Sequence, residues 1–184
     1  MIQQATPSLA SRAVLVENGE AVRLSTDHKP EHPGEKARIE RAGGKVLKYG
    51  STWRVTSNEA LAWEKQKFKS SPRPVQPAVA RSFGDASMKR PQPLLTSDPE
   101  ITVKELGPEH SLVLLGCDGI WDVLSDQQAV DAAADARRNG EGPKGQAGAV
   151  VKLAYDRGST DNISVVAICL ADAGPPVVPP ARAV

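Results

Sequence analysis

An α+β fold is what this sequence predicts, on three observations. Asn18-Gly19 sits between the short apolar runs Ala13–Val16 and Ala21–Leu24, and Asn-Gly tolerates the positive φ angles of a tight β-hairpin turn. Leu112–Leu115 and Ile163–Leu170 are apolar runs of strand length. Ser125-Asp126-Gln127-Gln128 opens an alanine-rich stretch with the hydroxyl and amide of a helix capping box. With 184 residues, the chain is long enough for one domain with a real core and short for two.

The elements follow in order. After the hairpin, Pro33–Ala42 reads as a helix: proline in the first turn, Glu35 early, apolar Ala37, Ile39 and Ala42, and Gly43-Gly44 as the stop. Residues 45–92 are poorly periodic, basic and broken by Pro72, Pro74, Pro77 and Pro91, so a long surface loop is expected there and no core. Glu100–Leu106 and Ser111–Cys117 are expected strands. The capped helix should run to about Arg138, with Asn139-Gly140 as its stop. A second helix is expected over Gly148–Arg157. Ile163–Leu170 is apolar at nearly every position and rich in β-branched residues, the pattern of a strand buried on both faces. Gly174–Val184 holds four prolines in eleven residues and reads as a disordered or polyproline tail.

Composition excludes several classes. No apolar run approaches the ~20 residues that cross a bilayer, so no membrane is expected as a partner. Met1-Ile2-Gln3-Gln4-Ala5 lacks the charged and apolar regions of a secretory signal. Cys117 and Cys169, both in apolar runs, are expected as buried free thiols. The expectation is a soluble intracellular protein, cytoplasmic or nuclear. The formal net charge of +1 hides an asymmetry: residues 1–92 carry 16 basic against 9 acidic residues, and residues 93–184 carry 7 against 13. A basic half favours anionic partners and an acidic half can hold cations, although the two can also simply attract.

One constellation concentrates chemistry. Leu112–Cys117 runs into Asp118-Gly119-Ile120-Trp121-Asp122, and Ser159-Thr160-Asp161-Asn162 runs into Ile163–Val166. If the two strands are antiparallel neighbours, Asp118 and Asp161 share one rim of the sheet, and Asp122 returns to that side after one helical turn. Three carboxylates on one rim repel unless a cation joins them. Oxygen ligands suit hard ions such as Mg²⁺ or Mn²⁺. The same residues also suit a tight turn at Asp118-Gly119 and an Asx turn at Asp161-Asn162.

Cys117–Ser125, reading Cys-Asp-Gly-Ile-Trp-Asp-Val-Leu-Ser, strongly resembles a signature of the metal-dependent protein serine/threonine phosphatases, the PPM or type 2C family. Arg157–Val165 resembles that family's closing motif. Ala80-Arg81-Ser82-Phe83-Gly84-Asp85 with Lys89 resembles its Ser-Arg-x-x-Gly-Asp segment. Ser11–Leu15 with the hairpin, then Asp27–Pro30 with Arg38–Gly44, resemble two further stretches. The five segments occur in family order. The resemblance implies a four-layer sandwich, two antiparallel β-sheets flanked by helices. It implies that Asp118 and Asp161 bridge a binuclear Mg²⁺/Mn²⁺ centre, with Asp122 helping to hold a weaker ion. Gly119, Asn162, Gly84 and Asp85 would shape the site. The implied reaction is attack of metal-activated water on phosphoserine or phosphothreonine in protein substrates.

Departures from the family pattern matter as much. The family's Asp-Gly-His-Gly motif, with a bridging Asp and the general-acid His, does not occur in the chain, and neither does the upstream phosphate-gripping Arg. Leu9-Ala10-Ser11-Arg12 stands where the family has Gly-Asp-Ser-Arg. No catalytic residue is therefore identified beyond the metal ligands. His28, His32 and His110 match no motif and are expected at surface or turn positions. Residues 1–8 are unmatched, 9–171 read as an N-terminally incomplete phosphatase domain, with 45–92 as its basic loop or flap, and 172–184 as the tail. A polypeptide supplying the missing N-terminal part is an expected partner. Arg12 suits phosphate binding or an ion pair. The basic stretch, with Lys45, Lys48, Arg54, Lys65, Lys67, Lys69 and Arg73, suits acidic or phosphorylated substrate or a solvated loop. Trp53, Trp63 and Phe68 within it invite nucleic-acid stacking, but no nucleic-acid fold motif supports that. Two readings stand beside the enzyme: a non-catalytic phosphatase-like module that regulates or binds phosphoproteins, and a basic-loop binding module whose aspartates are only turns.

Overall fold

The computed structural model describes residues 2–6, 11–66 and 71–170. In chain order these form strands β1 (Ile2–Thr6), β2 (Arg12–Glu17) and β3 (Glu20–Arg23), helix α1 (Pro33–Arg41), strands β4 (Lys45–Tyr49) and β5 (Thr52–Thr56), and helix α2 (Asn58–Glu64). A 3₁₀ turn at Ala86–Met88 precedes strands β6 (Glu100–Lys104) and β7 (His110–Gly116). Helices α3 (Asp118–Trp121), α4 (Asp126–Arg138) and α5 (Pro143–Asp156) lead to strand β8 (Val165–Cys169). The fold class is α+β with antiparallel sheets, as expected. The chain divides into two compact units, one joining Ser11–Thr26 to the chain from Ile101 onward, the other Asp27–Glu100.

The first unit is built on a four-stranded sheet in the order β3-β2-β7-β8, antiparallel at every pairing. The expected hairpin forms, with Asn18 and Gly19 both at positive φ. Strand alternation sorts the side chains. Val14, Val16, Leu112 and Leu114 face a core completed by Ile120, Trp121 and Leu124, by Ala129, Val130 and Ala133 of α4, and by Val150 and Ala154 of α5. Ala13, Leu15 and Val113 bury the opposite face with Leu24. The central strands β2 and β7 are thus buried on both faces.

Helix α4 starts where the sequence said. The Gln128 N–H donates to Ser125 Oγ and the Ser125 N–H donates to Gln128 Oε1, closing the capping box. Helix α5 begins at Pro143, earlier than the expected Gly148, with proline in the first turn, where a missing N–H costs nothing. Gly145 and Gly148 weaken the helical signal, and the burial of Gln146, Val150 and Ala154 overrides it.

Three further expectations are corrected. Strand β8 is not buried on both faces: it is an edge strand, with Val166 54% and Ile168 45% exposed. Its run is apolar at both parities, so periodicity carried no face information; Val165 and Ala167 pack on the core and their neighbours do not. Cys117 and Cys169 are free, but Cys117 is half-buried and Cys169 exposed, because β8 lies at the sheet edge. His28 and His110 are buried, and only His32 is exposed. His28 Nε2 lies 2.8 Å from Glu100 Oε2, a partner the sequence order did not reveal.

The described residues within 45–92 are not one continuous surface loop. They form the β4–β5 hairpin, α2 and the 3₁₀ turn. With Ile39 of α1, Val46, Val55, Ala80, Met88, Leu94 and Leu95 make a core of the second unit. Its apolar residues lie far apart in sequence, which is why no periodicity announced them. Buried Glu35 organises the unit: it accepts from Arg38 and from Arg81, and Arg38 also donates to the Ala80 and Leu94 carbonyls. Burial raises the Glu35 carboxyl pKa, but the Arg81 and Arg38 hydrogen bonds and charges outweigh it and leave the value lowered. The Pro-rich segment 172–184, residues 7–10 and residues 67–70 with Lys67, Phe68 and Lys69 lie outside the described residues.

In the first unit, Asp126 at the start of α4 plays the corresponding part. It pairs with Arg12, whose guanidinium sits 5.0 Å from the Trp121 ring centroid, and accepts from Arg23 Nε at 2.9 Å. Arg12 therefore acts in packing and ion pairing. Gln127 adds to the clamp by accepting the Ala21 N–H. Burial raises the Asp126 pKa, yet hydrogen bonds from Arg23 and Arg12 and their charges hold it below its ordinary value. Asp126→Ala is expected to lower the unfolding free energy by about 2 kcal/mol in urea titrations near neutral pH. The folded-state pKa is depressed, so the contribution is full above the ordinary value of 3.8 and is lost as pH falls through the lowered one. The gap between wild type and variant should close over that acidic range.

Candidate metal centre

The candidate site grows from the end of β7. Gly116 pairs with Val165 across the β7–β8 ladder, so the segment leaving β7 and the segment entering β8 stand at the same rim. At that rim the chain turns sharply into α3. Trp121 Nε1 donates to the Gly116 carbonyl at 2.6 Å. Its ring lies so close that a Cβ on Gly116 would approach it to 2.9 Å. Glycine is needed here for space.

The two aspartate segments are stitched together by backbone and small side chains. Cys117 Sγ donates to the Asn162 carbonyl at 3.0 Å and accepts the Ser164 N–H at 3.2 Å. The Cys117 N–H donates to the Ser164 carbonyl at 3.2 Å. Ser159 Oγ donates to the Gly119 carbonyl at 2.7 Å. A Cβ on Gly119 would stand 2.3 Å from the Asn162 carbonyl oxygen. Gly119 and Asn162 thus shape the rim by contact.

Each aspartate keeps one oxygen on its own backbone. Asp118 Oδ1 accepts the Gly119 N–H at 3.1 Å, and Asp161 Oδ1 accepts the Asn162 N–H at 2.7 Å. Asp118-Gly119 is thus the opening of α3 and not a separate tight turn, and the Asp161 bond reaches only the next residue, short of the Asx turn that the sequence allowed; both leave Oδ2 outside these bonds. Asp122 follows one turn later, its N–H donating to the Asp118 carbonyl at 2.9 Å. Asp118, Asp122 and Asp161 are not drawn together as a set with ligand atoms within 4.8 Å of one another. Two carboxylates with an oxygen to spare on one open rim fit a hard divalent cation that takes further ligands from water or another chain segment.

Gly84 and Asp85 belong to the second unit. Both adopt positive φ, and Asp85 opens the 3₁₀ turn, its carbonyl accepting the Met88 N–H. Lys89 Nζ donates back to the Ser82 carbonyl. Phe83, between them, is 72% exposed.

Sequence reasoning missed one cluster. Among the described residues, Glu17, Glu109 and His110 place one potential ligand atom each within 4.8 Å of one another. They lie at the other end of β7 from Asp118, assembled by the register that pairs Glu17 with His110. His110 Nδ1 accepts the Gly107 N–H at 2.8 Å and lies 3.3 Å from Glu109 Oε1, and its Nε2 lies 3.8 Å from Glu17 Oε1. Lys104 Nζ already neutralises Glu17 at 3.3 Å.

The family model described as Protein phosphatase 2C matches residues 10–163. The chain belongs to the protein phosphatase 2C family. It is 39% identical over 162 residues to "Probable protein phosphatase 2C 68" of Oryza sativa subsp. japonica, a match covering 87% of this chain and 39% of that protein. To "Probable protein phosphatase 2C 2" of Arabidopsis thaliana it is 35% identical over 165 residues, covering 86% of this chain and 37% of the relative. The crystal structure of serine-threonine phosphatase 2C from Toxoplasma gondii superposes with a TM-score of 0.75 at 29% identity, covering 88% of this chain and 52% of that one. The chain therefore spans well under half the length of these curated relatives and about half of the solved structure.

The contact between Gly119 and Asn162 is open to test. Gly119→Ala should force the two segments apart and cost about 1–3 kcal/mol in urea unfolding, with faster amide exchange at Ser164. Gly148→Ala, where an added methyl meets nothing within 4 Å inside α5, should lose no stability. Equal stability of the two variants would contradict the contact.

Proposed function

We propose that this chain carries the Asp118 and Asp161 half of a metal-dependent protein serine/threonine phosphatase centre, acting on phosphoserine and phosphothreonine in proteins. The observation that supports this most is the packing of the Asp118-Gly119 turn on the Asp161-Asn162 loop at one rim. Asp118 and Asp161 would hold Mg²⁺ or Mn²⁺, and Asp122 would help with a weaker ion. When bound, such ions neutralise phosphoryl charge and make water a better nucleophile. Asp118 is held in place by the Gly119 N–H, and Asp161 by the Asn162 N–H. Gly119 keeps the rim narrow by admitting the Asn162 carbonyl. Gly84 and Asp85 set the turn that ends the Arg81-containing motif.

No His of this chain lies at the aspartate rim in a family motif. His110 sits at the far end of β7, and His28 is engaged by Glu100. Proton donation to the leaving group would come from the family's Asp-Gly-His-Gly segment. The unpaired thiols of Cys117 and Cys169 fit a reducing compartment, the cytoplasm or nucleus. Among the described residues, no helix is long and apolar enough to cross a membrane.

Calorimetric titration with Mn²⁺ tests the ligands. Wild type should release binding heat that Asp118→Ala and Asp161→Ala lose and Asp122→Ala only reduces; equal heats in all four proteins would overturn the assignment. In a second assay, Mn²⁺-dependent hydrolysis of a phosphothreonine peptide should be absent with the chain alone and appear with the family segment added. EDTA-sensitive turnover of ~1 s⁻¹ or more by the chain alone would remove the need for that segment.

A further inference from the structure

The end of β7 opposite the aspartate rim carries the Glu17, Glu109 and His110 cluster, and strand register builds it. His110 opens β7 and stands opposite Glu17 in the ladder with β2. The register shifts between Val16 and Glu17, and such a bulge re-aims the side chain it carries. The Asn18 N–H donates to the Glu109 carbonyl at 2.9 Å. The hairpin turn and the chain entering β7 therefore already meet through backbone.

His110 forms the floor of the cluster. Its side chain is 2% exposed, and its Nε2 is buried without a hydrogen-bond partner. That nitrogen faces Glu17 Oε1 at 3.8 Å, too far for a hydrogen bond. Two ligand atoms about 2 Å from a tetrahedral zinc ion stand roughly 3.4 Å apart, so the gap is close to the span of one metal. The Glu109 carboxylate is folded back on the same turn: a Cβ on Gly107 would stand 2.3 Å from its Oε2.

The two carboxylates form the mouth. The side chains of Glu17 and Glu109 are 31% and 37% exposed, which gives an ion a way in and leaves room for water ligands. Lys104 Nζ approaches Glu17 at Oε2, on the oxygen that does not face His110. One ammonium against Glu17 and Glu109 leaves the cluster short of positive charge. Glu20, paired with Glu17 across the hairpin, adds a like charge on the next strand. One imidazole with two carboxylates suits zinc, whereas oxygen-only sets suit magnesium.

We propose that Glu17, Glu109 and His110 Nε2 bind a zinc ion, with water completing its coordination, and that the ion clasps the β2–β3 hairpin to the start of β7. Ligation at Nε2 places the ring proton of neutral His110 on Nδ1, so the hydrogen bond from the Gly107 N–H opens as zinc enters. The site lies at the other end of β7 from Asp118 and does not depend on the phosphatase reading.

Heteronuclear NMR of the nitrogen-labelled whole chain tests this, with Zn²⁺ added in excess Mg²⁺, which competes for oxygen-only sites. One equivalent of Zn²⁺ should shift the His110 ring nitrogens and the Gly107 amide and leave the His28 and His32 rings in place. Exchange of the Asn18 amide should slow, and the melting temperature should rise. Glu17→Gln and Glu109→Gln should each weaken zinc binding about tenfold or more, while Asp118→Asn and Cys169→Ser should leave it unchanged. Thermal melts identify any variant that has unfolded, and the wild-type ring shifts then carry the test. Shifts confined to His28 or His32, or equal affinity of wild type and the folded glutamine variants, would overturn the proposal. So would loss of zinc binding in Asp118→Asn or Cys169→Ser. Binding that survives Asp118→Asn and falls with Glu109→Gln supports the site whatever the fate of the phosphatase reading.

Discussion

Strand β7 is hydrogen-bonded along both edges, to β2 and to β8, and its last residue, Gly116, faces Val165 across the ladder. That pairing places the exit of one strand and the entrance of another at a single rim. Everything proposed for the aspartates depends on it. Gly116 and Gly119 then admit an indole ring on one side and a carbonyl oxygen on the other, approaches no larger residue allows. The rim is narrow because two side chains are absent.

Around this rim the stabilising ion pairs are used for assembly. Asp126 ties the β2–β3 hairpin to α4 through Arg12 and Arg23. Arg12 also covers the Trp121 ring, so the strand that carries Arg12 and the helix that follows Asp118 are held by one guanidinium. In the second unit Glu35 gathers Arg38 and Arg81 in the same way. Such pairs cost desolvation and return little net energy unless fully hydrogen-bonded. Both are, which makes them positioning devices for the motif segments that contain Arg12 and Arg81.

The two carboxylate populations differ in kind. Asp126 and Glu35 are neutralised by arginine, whereas Asp118 and Asp161 spend one oxygen each on a neighbouring N–H. Among the described residues no arginine pairs with Asp118 or Asp161, a setting that suits a cation from solution.

Local chemistry was legible in the sequence. The Asn18-Gly19 turn, the Ser125–Gln128 capping box and the stop at Asn139-Gly140 depend on bonds a few residues apart, and they formed as expected. The types and order of the residues at Asp118-Gly119 and Asp161-Asn162 made the candidate site visible before the fold, although Asp118-Gly119 opens a helix and not a separate turn. The face that β8 buries, the start of α5 and the core within residues 45–92 were not legible. A wholly apolar strand has no parity, helix-weakening glycines hide a helix that packing rescues, and Val46, Val55, Leu94 and Leu95 are too far apart in sequence to show a period. The cluster of Glu17, Glu109 and His110 is brought together by strand register. Sequence by itself determined the turns, caps and ligand types; tertiary structure decided which of them meet, because register and burial are set by contacts between distant segments.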